Sequence, residues 1–340
     1  MTSHRDPRPF LEQAILAPSS HNTQPWVFDL ADNAVDLYAD RSRSLPVNDP
    51  DGRELTISCA AALLNLRVAA AARGVRHRVD ILPHGAASDL LARVSFGDGD
   101  TRTGPGVSSD AALGAAIGER RTYRQDFAGD RPVDVGVVER LQQAAAHEGA
   151  QLTVLGSADR HVLAELVAEG DRLLFADPRW RRELADWMRA HRRGDGLPVP
   201  ALALPITRFV VSRFDVGGRT AAKDADLAAR APVLAVLSTV GDGPGDWLAA
   251  GQGLQRTLLT ATAQGLQASF LNQPIQVAAL RGRLTEMVGG LTPQIGLRIG
   301  YPQKVLRAAP RRPLDDVIRT AHADSPSPTA DMSSRRRTRA

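Results

Sequence analysis

The residues with the most chemistry to offer lie close together near the start of the chain. Residues 17–26 read Ala17-Pro18-Ser19-Ser20-His21-Asn22-Thr23-Gln24-Pro25-Trp26. Because Pro, Ser and Asn favour turns, this composition predicts an ordered polar turn. Hydroxyls, amides and backbone N–H groups on such a turn suit a flat polar heterocycle or a phosphate better than a metal ion. The candidate binding residues here are Pro18, Ser19, Ser20, His21, Asn22, Gln24, Pro25 and Trp26.

The same turn also has a purely structural interpretation, in which a capped helix end is followed by a buried tryptophan. Ser, Asn and Pro are ordinary turn residues, so composition alone favours this reading. For His21 the sequence favours a turn-capping role over proton delivery.

A second group of candidates is basic. Guanidinium groups and hydroxyls are the usual ligands of a dianionic phosphate. Taken alone, a cluster of arginines is more often a solvated surface. The candidate phosphate-binding residues are Arg120, Arg121, Thr122, Arg124, Arg311 and Arg312.

Other kinds of site are disfavoured. Cys59 is the only cysteine and lies in a helical pattern of small residues, which predicts a packed side chain and excludes an intrachain disulfide. The eight histidines show no His-x-x-x-His spacing, so no metal site is expected. No Gly-x-Gly-x-x-Gly motif follows a strand, which argues against a dinucleotide bound on a Rossmann unit.

The elements around the turn are predicted from hydrophobic periodicity. Apolar residues recur at helical spacing over 10–16 and alternate after the turn, which predicts a helix followed by a hairpin over 26–38. A long apolar stripe predicts a core helix over 52–74, and two short strands follow. Residues 100–109, rich in Gly, Ser and Thr, are predicted to be a linker.

The rest of the chain alternates between helical and strand patterns. Helices are predicted at 111–118, 134–146, 160–174, 178–193 and 246–265. Strands are predicted at 151–155, 233–237, 268–271 and 294–302. Between them, 194–231 contains several prolines and a glycine pair and is expected to be irregular, which in a compact domain usually indicates a functional segment.

Composition limits the possible partners. The chain has 340 residues and a formal net charge of +4. Much of that charge lies in the tail, where four arginines after residue 323 oppose two aspartates, and no nucleic-acid-binding signature is present. No run approaches the ~20 apolar residues of a membrane span, and the first residues lack the apolar core of a signal peptide. We therefore expect a cytoplasmic protein without a nucleic-acid or membrane partner.

A faint internal repeat suggests how the chain is organised. Residues 52–74 and 251–265 both form an Ala- and Leu-rich helix that ends in glycine before a short strand. This predicts a duplicated α+β unit folded as an intrachain pseudo-dimer. The predicted divisions are a first half at 1–105, a second half at 106–322 with a lid-like segment at 194–231, and a disordered basic tail at 323–340.

Several motifs of the sequence together resemble those of a known family. The motifs at 17–26 and 120–124 resemble the two flavin-site signatures of the nitroreductase family. The closing Gly300-Tyr301-Pro302 and Arg311-Arg312-Pro313-Leu314 are similar to its C-terminal pattern. The order and length of the elements resemble the Acg-type nitroreductase-like proteins of actinobacteria, from about residue 10 to 318.

The resemblance implies an α+β nitroreductase-like fold with tightly bound FMN. In ordinary nitroreductases a homodimer builds two FMN sites, each from an arginine-rich helix end and a Pro-Ser turn. In this chain no arginine motif precedes the turn in the first half, and residues 145–151, the corresponding stretch of the second half, lack a polar turn. The resemblance therefore implies one complete site per chain and a monomer. The arginines would bind the phosphate, and Ser19, Ser20, Asn22 and Gln24 the ribityl chain or ring edge.

The resemblance also implies a reaction and leaves two alternatives to it. NAD(P)H would reduce the flavin, which would reduce a nitro compound, a quinone or a similar small acceptor. No catalytic side chain is expected, because the flavin carries the chemistry. The alternatives are an FMN-sequestering storage protein, closed by a lid at 194–231, and a scaffold that has lost flavin.

Overall fold

The computed structural model of the chain describes residues 6–97, 110–190, 194–215 and 217–319. The predicted linker at 100–109 and the predicted tail at 323–340 lie outside the described residues. The helices are α1 (Arg8–Ala14), α2 (Arg53–Ala71), α3 (Gly114–Glu119), α4 (Val135–His147), α5 (Ser157–Ala176), α6 (Pro178–Asp186), α7 (Leu204–Arg213), α8 (Gly217–Ala229), α9 (Pro244–Ala263), α10 (Gln273–Gln276) and α11 (Ala278–Met287). The strands are β1 (Trp26–Ala31), β2 (Ala34–Ala39), β3 (His77–Ile81), β4 (Leu90–Phe96), β5 (Gln151–Val154), β6 (Met188–Ala190), β7 (Leu197–Val199), β8 (Val233–Thr239), β9 (Gln267–Phe270), β10 (Thr292–Gly300) and β11 (Ile318–Arg319).

The strands form two main sheets. The first has the order β11-β1-β2-β4-β3, and β11 joins it parallel to β1, so the C-terminal part of the chain completes a sheet built from N-terminal strands. The second has the order β5-β8-β10-β9 with antiparallel pairing throughout. A small parallel pair, β6-β7, stands apart.

Two helices lie at the centre of the molecule. The side chains of α2 are nearly all buried, and α2 packs along α9. A Cβ added at Gly251 of α9 would collide with the carbonyl oxygen of Ile57 and lie 2.5 Å from the Ala60 Cβ. Glycine at this position therefore lets the two helices approach closely. The length and composition of α2 would suit a membrane span, but 94% of it is buried here, as in the core helix of a folded domain.

Apolar layers hold each sheet against its helices. One core joins the first sheet to α1 and α2. A second joins one face of the second sheet to α4 and α9, and a third joins the other face to α5 and α11. Every residue of β8 is buried, both in the predicted apolar run at 233–237 and at Ser238 and Thr239, which follow it.

Several predicted elements are confirmed. The hairpin forms as β1 and β2, and Asn33 in its turn has a φ of +55°, which asparagine tolerates. The helix predicted at 52–74 is α2, and the helix predicted at 134–146 is α4. At the start of α4 the Asp134 carboxylate accepts a hydrogen bond from the Gly136 N–H at 2.8 Å, as expected for an N-cap.

Two predictions are wrong. Residues 194–231 are not irregular, because they contain β7, α7 and α8. Pro205 lies in the first turn of α7, where a proline costs no hydrogen bond, and Pro198 lies in the short strand β7. The helix predicted at 178–193 ends at Asp186 and is followed by β6, and 191–193 lie outside the described residues.

Candidate functional site

A cavity of about 590 Å³ lies where the polar turn, α2, α3 and the strand β9 meet. Its volume is in the range of about 300–1,000 Å³ that is common for small-molecule sites. The structure brings ten of the predicted residues to its wall although they come from three distant parts of the chain. They are Pro18, Ser19, Ser20, His21, Asn22, Arg120, Arg121, Thr122, Arg124 and Arg311.

The backbone of the turn is unusual. His21, Asn22 and Gln24 have φ values of +49°, +55° and +51°, a region that residues other than glycine enter rarely. Local hydrogen bonds hold this conformation, since the Gln24 N–H donates to Ser19 Oγ at 2.9 Å. The Asn22 amide donates to the carbonyl oxygens of Gly196 and Pro310, each at 3.2 Å. The turn is therefore fixed by contacts to remote parts of the chain.

The remaining predicted residues hold the turn in place from outside the cavity wall. Gln24 is fully buried, donates from Nε2 to the Gly194 carbonyl at 2.7 Å and accepts from the Arg312 N–H at 2.9 Å. The Arg312 guanidinium donates to the carbonyl oxygens of Gln24 and Asp316. Trp26 is fully buried in the first core, and Pro25 is buried beside it. None of these four residues lines the cavity, and the Gln24 amide is bonded to protein at both its nitrogen and its oxygen, which corrects the expectation that it is free for a ligand.

His21 is neutral in this environment. Burial lowers its pKa to about 4, although the nearby Glu54 carboxylate acts in the opposite direction. Its Nδ1 is buried and has no hydrogen-bond partner among the described residues. A neutral imidazole with an unused nitrogen at a cavity wall is suited to a hydrogen bond with a ligand.

Three arginines at the wall form a cationic cluster. Burial and, to a smaller extent, repulsion from Arg311 and Arg121 lower the pKa of Arg120 to about 9. Burial likewise lowers the pKa of Arg311 to about 10, again with a contribution from Arg121. The Nε of Arg120 is buried without a partner, and no carboxylate of the described residues forms an ion pair with any of the three. Arg311 donates to the carbonyl oxygens of Ile15, Leu16 and Ala17 at 2.8–3.0 Å, which fixes the cluster to the end of α1. An anion would relieve the repulsion within this cluster.

Arg124 lies in a different environment from the other three. It is exposed to the cavity, and it forms no hydrogen bond or ion pair within the described part of the chain. The cavity wall around its guanidinium partly excludes bulk water, and this desolvation lowers the pKa of Arg124, while the Asp224 carboxylate opposes that shift. The structure therefore separates Arg124 from the Arg120 cluster and places it near an acidic group.

The sequence did not identify several polar residues of the wall. Glu54 is 2% exposed and accepts hydrogen bonds from Ser20 Oγ at 2.5 Å and from the Gln276 amide at 2.9 Å. Asp171 and Asp224 also line the cavity, and Gln273 bonds to Asp224. One signal was available, because Asn272-Gln273-Pro274 repeats the Asn, Gln and Pro of the first turn. Single carboxylates on helices carry no such signal.

The segment at 194–231 forms part of the wall. Its contributing residues are Gly196, Leu197, Pro198, Thr220, Lys223, Asp224 and Leu227. The start of the segment is fixed to the turn, because the Gly196 N–H donates to the Asn22 carbonyl at 3.1 Å. Arg43, which donates to the Thr23 carbonyl of the turn, also pairs with Asp195. Within the described residues, no group of three or more His, Cys, Asp or Glu side chains is arranged to hold a metal ion.

Comparison with known proteins gives close relatives by sequence. No family model matches the chain. Over 323 residues it is 32% identical to the Mycobacterium tuberculosis H37Rv protein named "Putative NAD(P)H nitroreductase acg", covering 92% of this chain and 95% of that one. A second protein of that strain, also named as an NAD(P)H nitroreductase, is 32% identical over 322 residues, covering 92% and 90%.

A solved structure gives a weaker likeness. The FMN- and NADPH-dependent nitroreductase NfnB from Sphigopyxis sp. strain HMH aligns with a TM-score of 0.41 and 22% identity, covering 62% of this chain and 99% of that one. The relationship by sequence, which extends over nine-tenths of the chain, is therefore the stronger of the two likenesses.

Proposed function

Because this chain belongs to the Acg-type nitroreductase family, we propose that it is an FMN-binding oxidoreductase that uses NAD(P)H to reduce a nitro compound, a quinone or a similar small acceptor. The observation that carries the proposal is the cluster of Arg120, Arg121 and Arg311. Arg120 is buried and the other two are half-buried beside a polar turn, the three cations repel one another, and no carboxylate of the described residues is paired to them. A phosphate dianion supplies the missing charge.

The residues around the cluster fit the other parts of FMN. Thr122 lines the cavity between the arginines and can add a hydroxyl at the phosphate. Ser19 Oγ accepts one hydrogen bond within the turn, which leaves its proton to donate to a ribityl oxygen, and His21 offers its unused nitrogen. Ser20 and Asn22 already have protein partners, so their role is to shape the turn. A bound flavin would supply hydride and electron transfer, and the protein would supply binding, orientation and a dry cavity.

We further propose that the two halves of the chain form an intrachain pseudo-dimer around one site, and that the protein is a monomer. The turn at 17–26 and the arginine motif at 120–124 line the same cavity, and the repeated helices α2 and α9 pack together at the centre. The arrangement gives a single chain both contributions that the site needs. A cytoplasmic location stays a prediction.

One observation favours the storage alternative. The segment at 194–231 forms part of the cavity wall and is fixed at its start by Gln24 and Asn22. A segment held closed over a flavin would keep nicotinamide out, and the protein would then sequester the cofactor without turnover.

The experiment that tests these proposals uses the purified protein in two steps. Denaturation should release one FMN per chain from a monomer, measured by absorbance and light scattering. Anaerobic NADPH should bleach the flavin, and a nitroaromatic or quinone should restore its colour. A protein that holds FMN but is not bleached by NADPH or NADH would establish the storage role, and a protein that binds no FMN would contradict both.

A further inference from the structure

Two carboxyl groups of the cavity wall have no part in the binding site proposed above. Asp171 on α5 is 3% exposed, and its Oδ2 is buried without a hydrogen-bond partner among the described residues. Asp224 on α8 lines the same cavity and accepts a hydrogen bond from Gln273 Nε2 at 3.0 Å. The Oε1 of Gln273 is also buried and unpartnered. The wall therefore presents two unused polar atoms, one of them on a carboxyl group.

The charges around the two carboxyl groups leave a proton on Asp171 near neutral pH. Burial and, to a smaller extent, the Asp224 carboxylate raise the pKa of Asp171 to about 7, against the opposing effects of Gln273 and Arg172. Burial also raises the pKa of Asp224, but Lys223, Arg298, Arg124 and Gln273 all oppose that shift. Because several cations near Asp224 favour its ionised form and only Arg172 does so for Asp171, the proton shared by the pair resides on Asp171.

The surroundings of Asp171 suit an aromatic ring. Phe175, one helical turn further along α5, lines the cavity and contacts Trp180 with ring centroids 4.9 Å apart. Leu227 of α8 lies on the same wall. Apolar and aromatic walls with a few polar groups are typical of sites that bind flat organic molecules. A neutral carboxyl group kept in such a wall is a hydrogen-bond donor.

We propose that Asp171, which lines the cavity together with Asp224 and Gln273, is the proton donor to the oxygen of the electron acceptor, which is an aromatic quinone or nitro compound. This inference rests on the proposed function and concerns the part of the same cavity where the electron acceptor would bind. Asp224 is a positioning residue, because it acts by keeping the proton on Asp171. The acceptor oxygen would receive the hydrogen bond that Asp171 Oδ2 lacks.

The proton balance of the reaction requires such a donor. Reduction of a quinone to a hydroquinone consumes one hydride equivalent, which NAD(P)H supplies, and one proton. The Asp171 O–H bond breaks as an O–H bond of the hydroquinone forms, which leaves Asp171 as a carboxylate. Water that enters when the product leaves returns a proton to it. The sum is NAD(P)H, quinone and a proton giving NAD(P)⁺ and hydroquinone.

The first test measures thermal unfolding of the purified protein between pH 4 and 9 and involves no turnover. A carboxyl group whose folded pKa is raised stabilises the fold most below its unfolded pKa, near 3.9, and that contribution is lost as the pH rises to about 7. The melting temperature of Asp171→Asn minus that of the parent should therefore increase from pH 4 to 7 and stay level above pH 8. Glu169→Gln is the control, because Glu169 is a half-buried carboxylate of the same helix that pairs with Arg283 and does not line the cavity, and its difference should not follow the rise seen for Asp171→Asn. A constant difference for Asp171→Asn as well would overturn the protonated state that the proposal requires.

The second test measures NADPH-driven reduction of p-benzoquinone as a function of pH. In the parent, kcat/KM for the quinone should fall as the pH rises above about 7. Asp171→Asn should lower it about 100-fold at pH 6 and remove the pH dependence. Asp224→Asn removes the carboxylate that raises the pKa of Asp171, so the fall should begin at lower pH. Asp226→Asn, an exposed carboxylate on the same helix as Asp224, should keep the parental profile.

The outcomes separate this inference from the proposed function. If NADPH does not bleach the flavin of the parent, the oxidoreductase proposal fails and the donor role fails with it. If bleaching is normal and Asp171→Asn keeps the parental quinone rate and pH profile, the oxidoreductase stands and the role of Asp171 is wrong.

Discussion

Arg120 shows how a single residue can be unfavourable for stability and favourable for binding. Burial and the repulsion of two neighbouring arginines lower its pKa to about 9, and its Nε has no partner within the described residues. A buried cation without a counter-charge costs free energy in the folded protein. The same charge becomes favourable when an anion occupies the cavity, so its contribution belongs to ligand binding.

Replacing Arg120 by methionine should therefore separate the two effects. Arg120→Met keeps an apolar stem of similar length but removes a charge-assisted contact of about 1.5–3 kcal/mol, which weakens FMN at least about tenfold. The melting temperature of the flavin-free protein should not fall. Fluorescence titration and thermal unfolding measure the two quantities, with Arg140→Met on the exposed face of α4 as the control. Unchanged FMN affinity in Arg120→Met would place the phosphate elsewhere.

At the residue scale the sequence predicted the parts of the site that have a local signal. The turn at 17–26 and the arginines at 120–124 are short runs whose composition alone indicates polar binding groups. The position of Gln24 could not be predicted, because its partner, the Gly194 carbonyl, lies 170 positions away. Glu54 was not predicted, because a single carboxylate in an apolar helix is usually exposed to solvent. Only the folded structure shows that this carboxylate is buried.

The two helices of the segment at 194–231 differ in how they are held. No side chain of α7 is buried, and Ile206 and Phe209 are 70% and 57% exposed. In contrast, α8 buries Ala221, Leu227 and Ala228, and it packs along α5. Of these two helices, α8 contributes residues to the cavity wall and α7 does not, so the segment consists of an outer helix and an inner one.

A pair of deletions should separate the functions of these helices. Replacing 201–214 with a short Gly/Ser linker removes α7 alone and should change the free energy of unfolding by no more than about 2 kcal/mol, with FMN retained. Replacing 197–222 also removes β7 and the buried Ala221, and it should release FMN or expose it to solvent. Flavin fluorescence and its quenching by iodide report both effects. If the longer deletion leaves both signals unchanged, the segment does not enclose the flavin.

At the element scale, helices and strands with strong periodic patterns were predicted and the segment at 194–231 was not. Periodicity and caps are local, so α2 and α4 could be recognised from their own residues. A proline and the glycine pair of this segment lie at the starts of α7 and α8, although the sequence alone suggested that they break regular structure. The apolar side chains of the short helix α7 remain exposed, so they form no clear amphipathic pattern. The fixed start of this segment depends on contacts to the first turn that no local pattern contains.

On the scale of the whole molecule, α2 and α9 join parts of the chain that are far apart in sequence. A buried ionic network lies beside this helix pair, in which Glu148 pairs with Arg67 of α2 and Arg256 of α9. Both arginines also approach Asp110. Both helices contribute to the cavity wall, through Ile57 and Leu254 among others. The spacing of α2 and α9 therefore affects the stability of the fold and the shape of the site together.

Gly251→Ala should disturb both properties at once. The added Cβ would collide with the Ile57 carbonyl, which belongs to a helix backbone and cannot move aside alone, so the two helices must separate. We expect a loss of about 1–3 kcal/mol in the free energy of unfolding, typical of an overpacked core. We also expect weaker FMN binding, because Ile57 lines the cavity.

Gly282→Ala in the exposed part of α11 is the control, since its Cβ meets no atom within 4 Å and alanine should gain up to about 1 kcal/mol in helix propensity. Thermal unfolding and FMN titration of both variants decide the matter. If Gly251→Ala is as stable as Gly282→Ala and binds FMN like the parent, the α2–α9 contact does not set the geometry of the site.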